Sequence, residues 1–385
     1  MKPRKITVVT GTRAEYGILY PVMKAIERSE DLRLSVVATG MHLSCEFGHT
    51  IDEIRKAGFK VDSEVDMILS GDSQLSMAKS LGIGIMGISQ ALWSIRPDFV
   101  MVCGDRSEAF AAAVSAAYMN FPVAHLLGGD HARGSNIDDS LRFAITKFAH
   151  IHFPATEGHG ERIRRLGEEP WRVHVVGSPA LDTILRAKLP ASNQTLEALS
   201  LEPRKPVALI VQHPTSINAA DSKKEMEATM EALCELNIQS AVIYPNADAG
   251  GRAMIDVIKK YEGRPFIRVF RSLPRDKYLA LMSAASVMVG NSSSGLIEAP
   301  SFRLPAVNIG IRQEGRDRAE NVIDVGHDKE KIKAAIRKAL NDKKFLNRVK
   351  NCLNPYGDGK ASERIVAILR NTEITSDLLR KRITY

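Results

Sequence analysis

The chain has 385 residues, too many for one ordinary hydrophobic core, so two domains are expected. It is 44% hydrophobic and 25% charged, as globular proteins are, and no apolar run approaches the length that spans a bilayer. The formal charge of +8 raises nucleic acid as a partner. Much of the excess, however, lies in residues 329–350 at the spacing of a solvated helix face, and the sparse aromatics are not interleaved with the basic residues. Arginines in the loops suit a small anionic ligand better than a polymer. The four cysteines (Cys45, Cys103, Cys234, Cys352) are scattered with no CxxC pair, which argues for reduced thiols in a cytoplasmic protein. The N-terminal apolar stretch is too short for a signal peptide.

Residues 6–9 read as the first strand, and Gly11-Thr12-Arg13-Ala14-Glu15-Tyr16-Gly17 as the turn into the first helix. A glycine turn at a helix N-terminus is a ready anion site. It matches neither the GxGxxG fingerprint nor a Walker loop. Residues 34–38 form a second strand ending at Thr39-Gly40-Met41-His42. A helix at 52–57, a short strand at 59–61 and an apolar helix at 82–95 follow. Strands alternating with helices predict right-handed crossovers and parallel sheets.

Residues 98–142 organise the rest. An apolar run at 99–103 reads as a buried parallel strand and stops at Gly104-Asp105-Arg106. A helix from about 107 to 119 leads to a strand at 122–127. That strand breaks at Gly128-Gly129 into a loop with Asp130, His131 and Arg133. The next helix opens near Ile137-Asp138-Asp139 and runs to about 149. Ligands of open α/β sheets sit beyond the carboxyl ends of the strands. Asp105, Asp130 and Asp138 or Asp139 all fall at that edge, an arrangement suited to acid–base chemistry. First-turn acids also complement a helix dipole, which is the structural alternative for Asp138 and Asp139.

Strands at 151–153 and 173–176 complete the first half. His150 and His152 have His-x-His spacing, but no ligand cluster accompanies them and no metal is expected. A proline-rich composition break at 189–206 reads as the interdomain linker. The rhythm then restarts, with strands at 207–211, 241–244, 267–270, 287–289 and, last, 306–309, and helices at 224–236 and 275–284. The 207–211 strand ends at Gln212-His213-Pro214. The 287–289 strand ends at Gly290-Asn291-Ser292-Ser293-Ser294-Gly295, with a helix from Leu296 carrying Glu298 in its first turn. This serine–glycine turn offers N–H groups and hydroxyls to phosphate oxygens, and Glu298 suits the two hydroxyls of a ribose. Arg312 and Arg316 lie in the loop after the last strand.

The segments GTRAEYG (11–17), GMH (40–42), GDRSE (104–108), HLLGGD (125–130), IDDSLR (137–142), HP (213–214), PNADAG (245–250), GNSSSGLIEAPS (290–301), NIGIRQEGR (308–316) and NPYGDG (354–359) occur in family order. Together they resemble the hydrolysing UDP-N-acetylglucosamine 2-epimerases, especially the branch serving sialic and legionaminic acid synthesis, over nearly the whole chain. The resemblance implies two Rossmann-like doubly wound domains of GT-B type, with a cleft between them and a C-terminal helix crossing back. The expected division is 1–188 for the sugar and catalytic acids, 189–206 as linker, 207–358 for the nucleotide and 359–385 for the returning helix. It also implies a UDP-sugar substrate without added cofactor, no nucleic-acid or membrane partner, and a homodimer.

By matching motif, the nucleotide contacts would be Arg13, His213, Asn246, Ser292, Ser293, Glu298 and Arg312. His42 and Arg106 would approach the substrate, and Asp105 and Asp138 would handle protons. His213 is counted with the catalytic groups because it would steady the departing diphosphate. Many relatives carry a glutamate where this chain has Leu127, and Asp130 is the candidate to replace it. The expected reaction eliminates UDP to a glycal and rehydrates it with inversion at C2. A GT-B glycosyltransferase and a non-catalytic nucleotide-sugar sensor are the alternatives.

Overall fold

The computed structural model describes residues 3–45, 49–69, 74–131, 137–214, 221–245 and 250–384. The chain forms two compact units. The first comprises Met1–Asp130, Ser135–Leu185 and Tyr356–Tyr385; the second comprises His131–Gly134 and Arg186–Pro355.

Six parallel strands build the first unit: β1 Arg4–Thr10, β2 Leu32–Thr39, β3 Ser63–Val65, β4 Phe99–Cys103, β5 Val123–Leu126 and β6 Ile151–Phe153, in the order β3-β2-β1-β4-β5-β6. The second unit has β7 Val207–Val211, β8 Gln239–Ile243, β9 Ile267–Phe270, β10 Val287–Gly290, β11 Ala306–Ile309 and β12 Val322–Val325, in the order β12-β11-β10-β7-β8-β9. Each half therefore repeats one doubly wound topology, with its switch point between first and fourth strands: β1/β4 in one, β7/β10 in the other. Every residue of β4 and β7 is buried, as strands covered on both faces require. These are the two Rossmann-like domains of GT-B type that the resemblance implied.

Helix Ala361–Asn371 belongs to the first unit, where Ile365 and Leu369 join the core around Leu19, Met23 and Ile26 of helix Arg13–Glu27. Asp182 caps it from another element, accepting the Ala361 and Ser362 N–H groups at 3.0 and 2.6 Å. Fully buried Arg172 then donates to the Leu378 and Asp377 carbonyls, both at 2.7 Å. The C-terminal segment thus returns to the first unit, as anticipated.

Several elements differ from the sequence reading. The strand placed at 59–61 is Ser63–Val65, because Phe59 is drawn into an aromatic cluster with Tyr16 and Tyr20. The strand at 173–176 reduces to one parallel bridge, His152 to Val173. A further strand, β12, follows the one read as last; its pattern was obscured because it is a partly exposed edge. Helix Ser294–Ile297 is one turn long and passes into the 3-10 turn Ala299–Phe302, so Glu298 stands at their joint rather than in a first helical turn. Helices Glu157–Arg165, Pro179–Arg186 and Gly251–Lys259 also form, and the apolar helix starts at Gln74.

Candidate functional site

At the carboxyl edge of the first sheet, buried Arg142 gathers three acids. Its guanidinium donates to Asp105, at the end of β4, and lies 3.5 Å from Asp130 Oδ2 and 3.7 Å from Asp139 Oδ1. Asp130 Oδ1 is 3.3 Å from His159 Nε2. The β5–loop turn explains this placement. Leu127, with φ +58°, turns its side chain onto the apolar core and gives its N–H to the Phe153 carbonyl. Gly129, with φ +75°, lies against the His159 backbone, where a Cβ would meet the carbonyl oxygen at 2.2 Å. Only glycine fits there, and the next residue, Asp130, reaches the arginine. Asp138 is exposed in the first turn of helix Ile137–Phe148, and its charge is felt at Arg106. Of the two adjacent acids, it is Asp139 that turns inward.

The neighbouring edges converge on Glu108, buried in the first turn of helix Ser107–Tyr118. A Cβ on Gly11 would lie 2.5 Å from its Cγ, and one on Gly40 2.5 Å from its Oε1. Its Oε2 accepts from Arg106 Nε at 3.3 Å and Ser107 Oγ at 3.1 Å. Glu15 caps its own helix, accepting the Gly11 N–H at 2.7 Å while its N–H goes to Thr12 Oγ1. Burial pushes the Glu15 carboxyl up to about 8, against the pull of the Gly11 donor and with help from the Glu108 charge. His42 is wholly buried and engages Thr10 and Thr50 hydroxyls at 3.1 and 2.7 Å; burial lowers it to about 4. In this structure it shapes the β2 edge rather than opening onto it. Arg13 is exposed and pairs with Glu53 at 3.2 Å.

The second sheet's edge is tied by buried Asn291. Its side chain accepts the His213 N–H at 2.7 Å and donates to the His213 carbonyl at 2.8 Å, bridging the ends of β7 and β10. Gly290 permits this, since at φ +134° a Cβ would stand 2.1 Å from the Val211 carbonyl oxygen. Arg312 Nη1 and Gln313 Nε2 both donate to the Asn291 carbonyl, at 3.2 and 2.9 Å. Ser292 and Ser293 are half-buried in the turn beyond, with Ser292 Oγ accepting the Ser294 N–H at 3.3 Å. Glu298 is buried and accepts from Arg275 at 2.5 Å. His213, Ser292, Ser293 and Arg312 therefore share one edge at the switch point. Asn246 and Arg133 lie outside the described residues.

Sequence reasoning did not single out Arg142, Asn291, Gln313, Glu108 or His159. The signal for His159 was its place three residues after Thr156, the helix N-cap whose hydroxyl takes the His159 N–H at 3.1 Å. Among the described residues no group of three or more His, Cys, Asp or Glu could hold a metal ion.

Two doubly wound domains with polar groups at both switch points define a two-domain nucleotide-binding type of fold. The solved UDP-GlcNAc 2-epimerase of Neisseria meningitidis, bound to UDP-GlcNAc, shares it with a TM-score of 0.83 at 20% identity, over 96% of this chain and 100% of that one. The family model for UDP-N-acetylglucosamine 2-epimerase matches residues 24–370, and the chain belongs to that family. It is 38% identical to the hydrolysing UDP-N,N'-diacetylbacillosamine 2-epimerase of Legionella pneumophila, across 99% of this chain and 100% of the relative. It is 37% identical to the hydrolysing GDP/UDP-N,N'-diacetylbacillosamine 2-epimerase of Campylobacter jejuni, across 84% and 85%.

Proposed function

We propose that this protein is a hydrolysing 2-epimerase that converts a UDP-linked N-acetylated hexose and water to UDP and the free 2-epimer. The observation that carries this is the gathering of Asp105, Asp130 and Asp139 on Arg142 at the first sheet's carboxyl edge. A binding module needs no such set of carboxylates. The names of the relatives favour N,N'-diacetylbacillosamine as the sugar over N-acetylglucosamine.

In this reading the second unit holds the nucleotide. Ser292 and Ser293 face the phosphates, Glu298 the ribose, and Arg312 and His213 the diphosphate charge, with Asn246 and Arg13 as further contacts. The first unit moves protons through Asp105 and Asp130 of the cluster, with Asp138 on the exposed face of the same helical turn as Asp139 as a further acid and Arg106 on the substrate. A carboxylate takes the proton from sugar C2 as the C1–O bond breaks and its electron pair leaves with UDP. The resulting C1=C2 glycal takes a proton at the opposite face of C2. Water supplies hydroxyl to C1 and returns its proton to a carboxylate. Charge on the departing diphosphate is met by arginine and backbone N–H groups, so no cofactor enters the scheme.

We place the enzyme in the cytoplasm, where its four free cysteines suit a reducing medium. We read it as a homodimer, pairing through the exposed apolar face of helix Gln74–Ile95. The test of the reaction is UDP release from UDP-N,N'-diacetylbacillosamine and UDP-N-acetylglucosamine, with NMR of the freed sugar. Release of UDP and a 2-epimer without acceptor supports the reading. Release only with an added acceptor indicates a transferase, and no release a sensor.

A further inference from the structure

The turn that carries Leu127 into the core brings Asp130 to a residue that no motif marked. Asp130 is held from two sides: Oδ2 lies 3.5 Å from Arg142, whose guanidinium is shared with Asp105 and Asp139. Oδ1 faces His159 Nε2 at 3.3 Å. His159 is 2% exposed and fixed through its backbone. Its N–H is taken by the Thr156 cap, and Gly129 packs on its carbonyl. Arg162 donates to the Gly129 carbonyl, and the Tyr356 ring meets the imidazole edge-on with centroids 6.0 Å apart. A buried imidazole nitrogen 3.3 Å from a carboxylate oxygen can exchange a proton with it once the two align.

We propose that His159 is the positioning residue and proton partner of Asp130, making Asp130 the group that protonates C2 of the glycal. The step balances. The proton on His159 Nε2 passes to Asp130 and from its carboxyl to C2. Water adds its hydroxyl to C1, its proton goes to another carboxylate of the cluster, and solvent restores the proton on His159. Among the described residues, charged and titratable groups around the couple include Arg142, Asp105 and Asp139, Arg162 on the imidazole's own helix, Tyr356 from the C-terminal segment, and His125, whose ring packs under Gly128. The inference rests on the epimerase reading for its role in turnover, but not for the couple itself.

Two measurements separate these. The first follows the His159 imidazole by NMR in the full-length protein with labelled histidine, against Asp130→Asn, without substrate. A carboxylate facing Nε2 sets that nitrogen's surroundings, so replacing it by an amide should move the His159 Nε2 resonance. An unchanged resonance overturns the couple. The second compares His159→Gln with wild type in UDP release across pH 5–9. Glutamine keeps a donor toward Asp130 but stores no proton. The expected result is kcat lowered about 10–100-fold with altered pH dependence, while UDP binding by calorimetry and the melting temperature stay near wild type. Glutamine restoring kcat and the wild-type profile would overturn the proton role. A couple seen by NMR in a chain that releases no UDP would overturn the epimerase reading instead.

Discussion

Asp105 and Arg312 stand at the edges of different sheets, so single substitutions should separate chemistry from nucleotide binding. Arg312→Ala removes a guanidinium that donates to the Asn291 carbonyl beside the serine turn. Losing one charged hydrogen bond costs about 1.5–3 kcal/mol, so the UDP Kd should rise roughly 10–100-fold. Glu298→Ala should weaken binding too, and Asp105→Asn should leave it near wild type while slowing turnover about 10²–10⁴-fold. Calorimetry and UDP release check this, and the reverse ordering would refute the assignment. The acids were legible because Gly-Asp and Gly-Gly-Asp follow apolar runs, and such runs end at a sheet's ligand edge. His159 was not, since a histidine inside a polar helix carries no periodic signal and meets Asp130 only through the fold. Nor could spacing choose between Asp138 and Asp139: one residue turns a helical side chain by about 100°, enough to exchange an exposed face for a buried one.

Beyond the apolar packing of helix Ala361–Asn371, the C-terminal segment is held by buried charged side chains, and that lock should respond to acid. Buried Glu168 accepts from His152 at 3.1 Å, Lys147 at 2.9 Å and Lys381 at 2.7 Å. Burial alone would raise its carboxyl, but these donors hold it at about 2. Lys381 moves the other way from what a stable ion pair would give, down to about 8, because burial and the charges of Lys147 and Arg172 outweigh its one carboxylate. The three-donor carboxylate therefore carries the stabilisation. A depressed carboxylate stabilises fully above its unfolded pKa, about 4.5, and loses that as pH falls toward 2. The shift corresponds to about 3 kcal/mol. The urea midpoint gap between wild type and Glu168→Gln should stay constant from pH 7 to about 4.5 and narrow below it; a flat gap down to pH 3 would contradict this account. At the second sheet, Gly290→Ala would force a Cβ against the Val211 carbonyl, parting β10 from β7 and lifting Asn291 off His213. UDP binding should fall by more than tenfold, read by calorimetry alongside the melting temperature. Strands buried on both faces were readable as apolar runs, and partly exposed β12 was not. Phe59 looked like strand because apolarity alone does not tell a sheet from an aromatic cluster.

Across the whole molecule the exposed large apolar side chains are unevenly spread. Leu75, Met77, Met86 and Trp93 project from helix Gln74–Ile95, with Ile68 and Leu69 just before it. Tyr118, 83% exposed, ends the helix packed beside it. Lys79 is the one charged residue among the helix's twenty-two, and Gly82 leaves open space on its outer side, whereas Gly84 and Gly87 are packed on Met67 and Val65. A face with almost no charge offers no complement to a charged partner. It suits its own copy, since a twofold axis sets the same apolar patch against itself. Neither Met86 nor Trp93 belongs to the acid cluster or the serine turn. Met86, 74% exposed, and Trp93, 54% exposed and covered on one side by Arg96 at 3.3 Å, should tolerate a charge in the isolated chain. Pairing would then bury that charge without a partner, a cost of several kcal/mol. Met86→Lys with Trp93→Lys should therefore run as a monomer in light scattering at concentrations where wild type is a dimer, with an unchanged circular dichroism spectrum. Should the double variant keep the wild-type mass, the dimer forms elsewhere; should wild type itself run as a monomer, this face does not serve self-association.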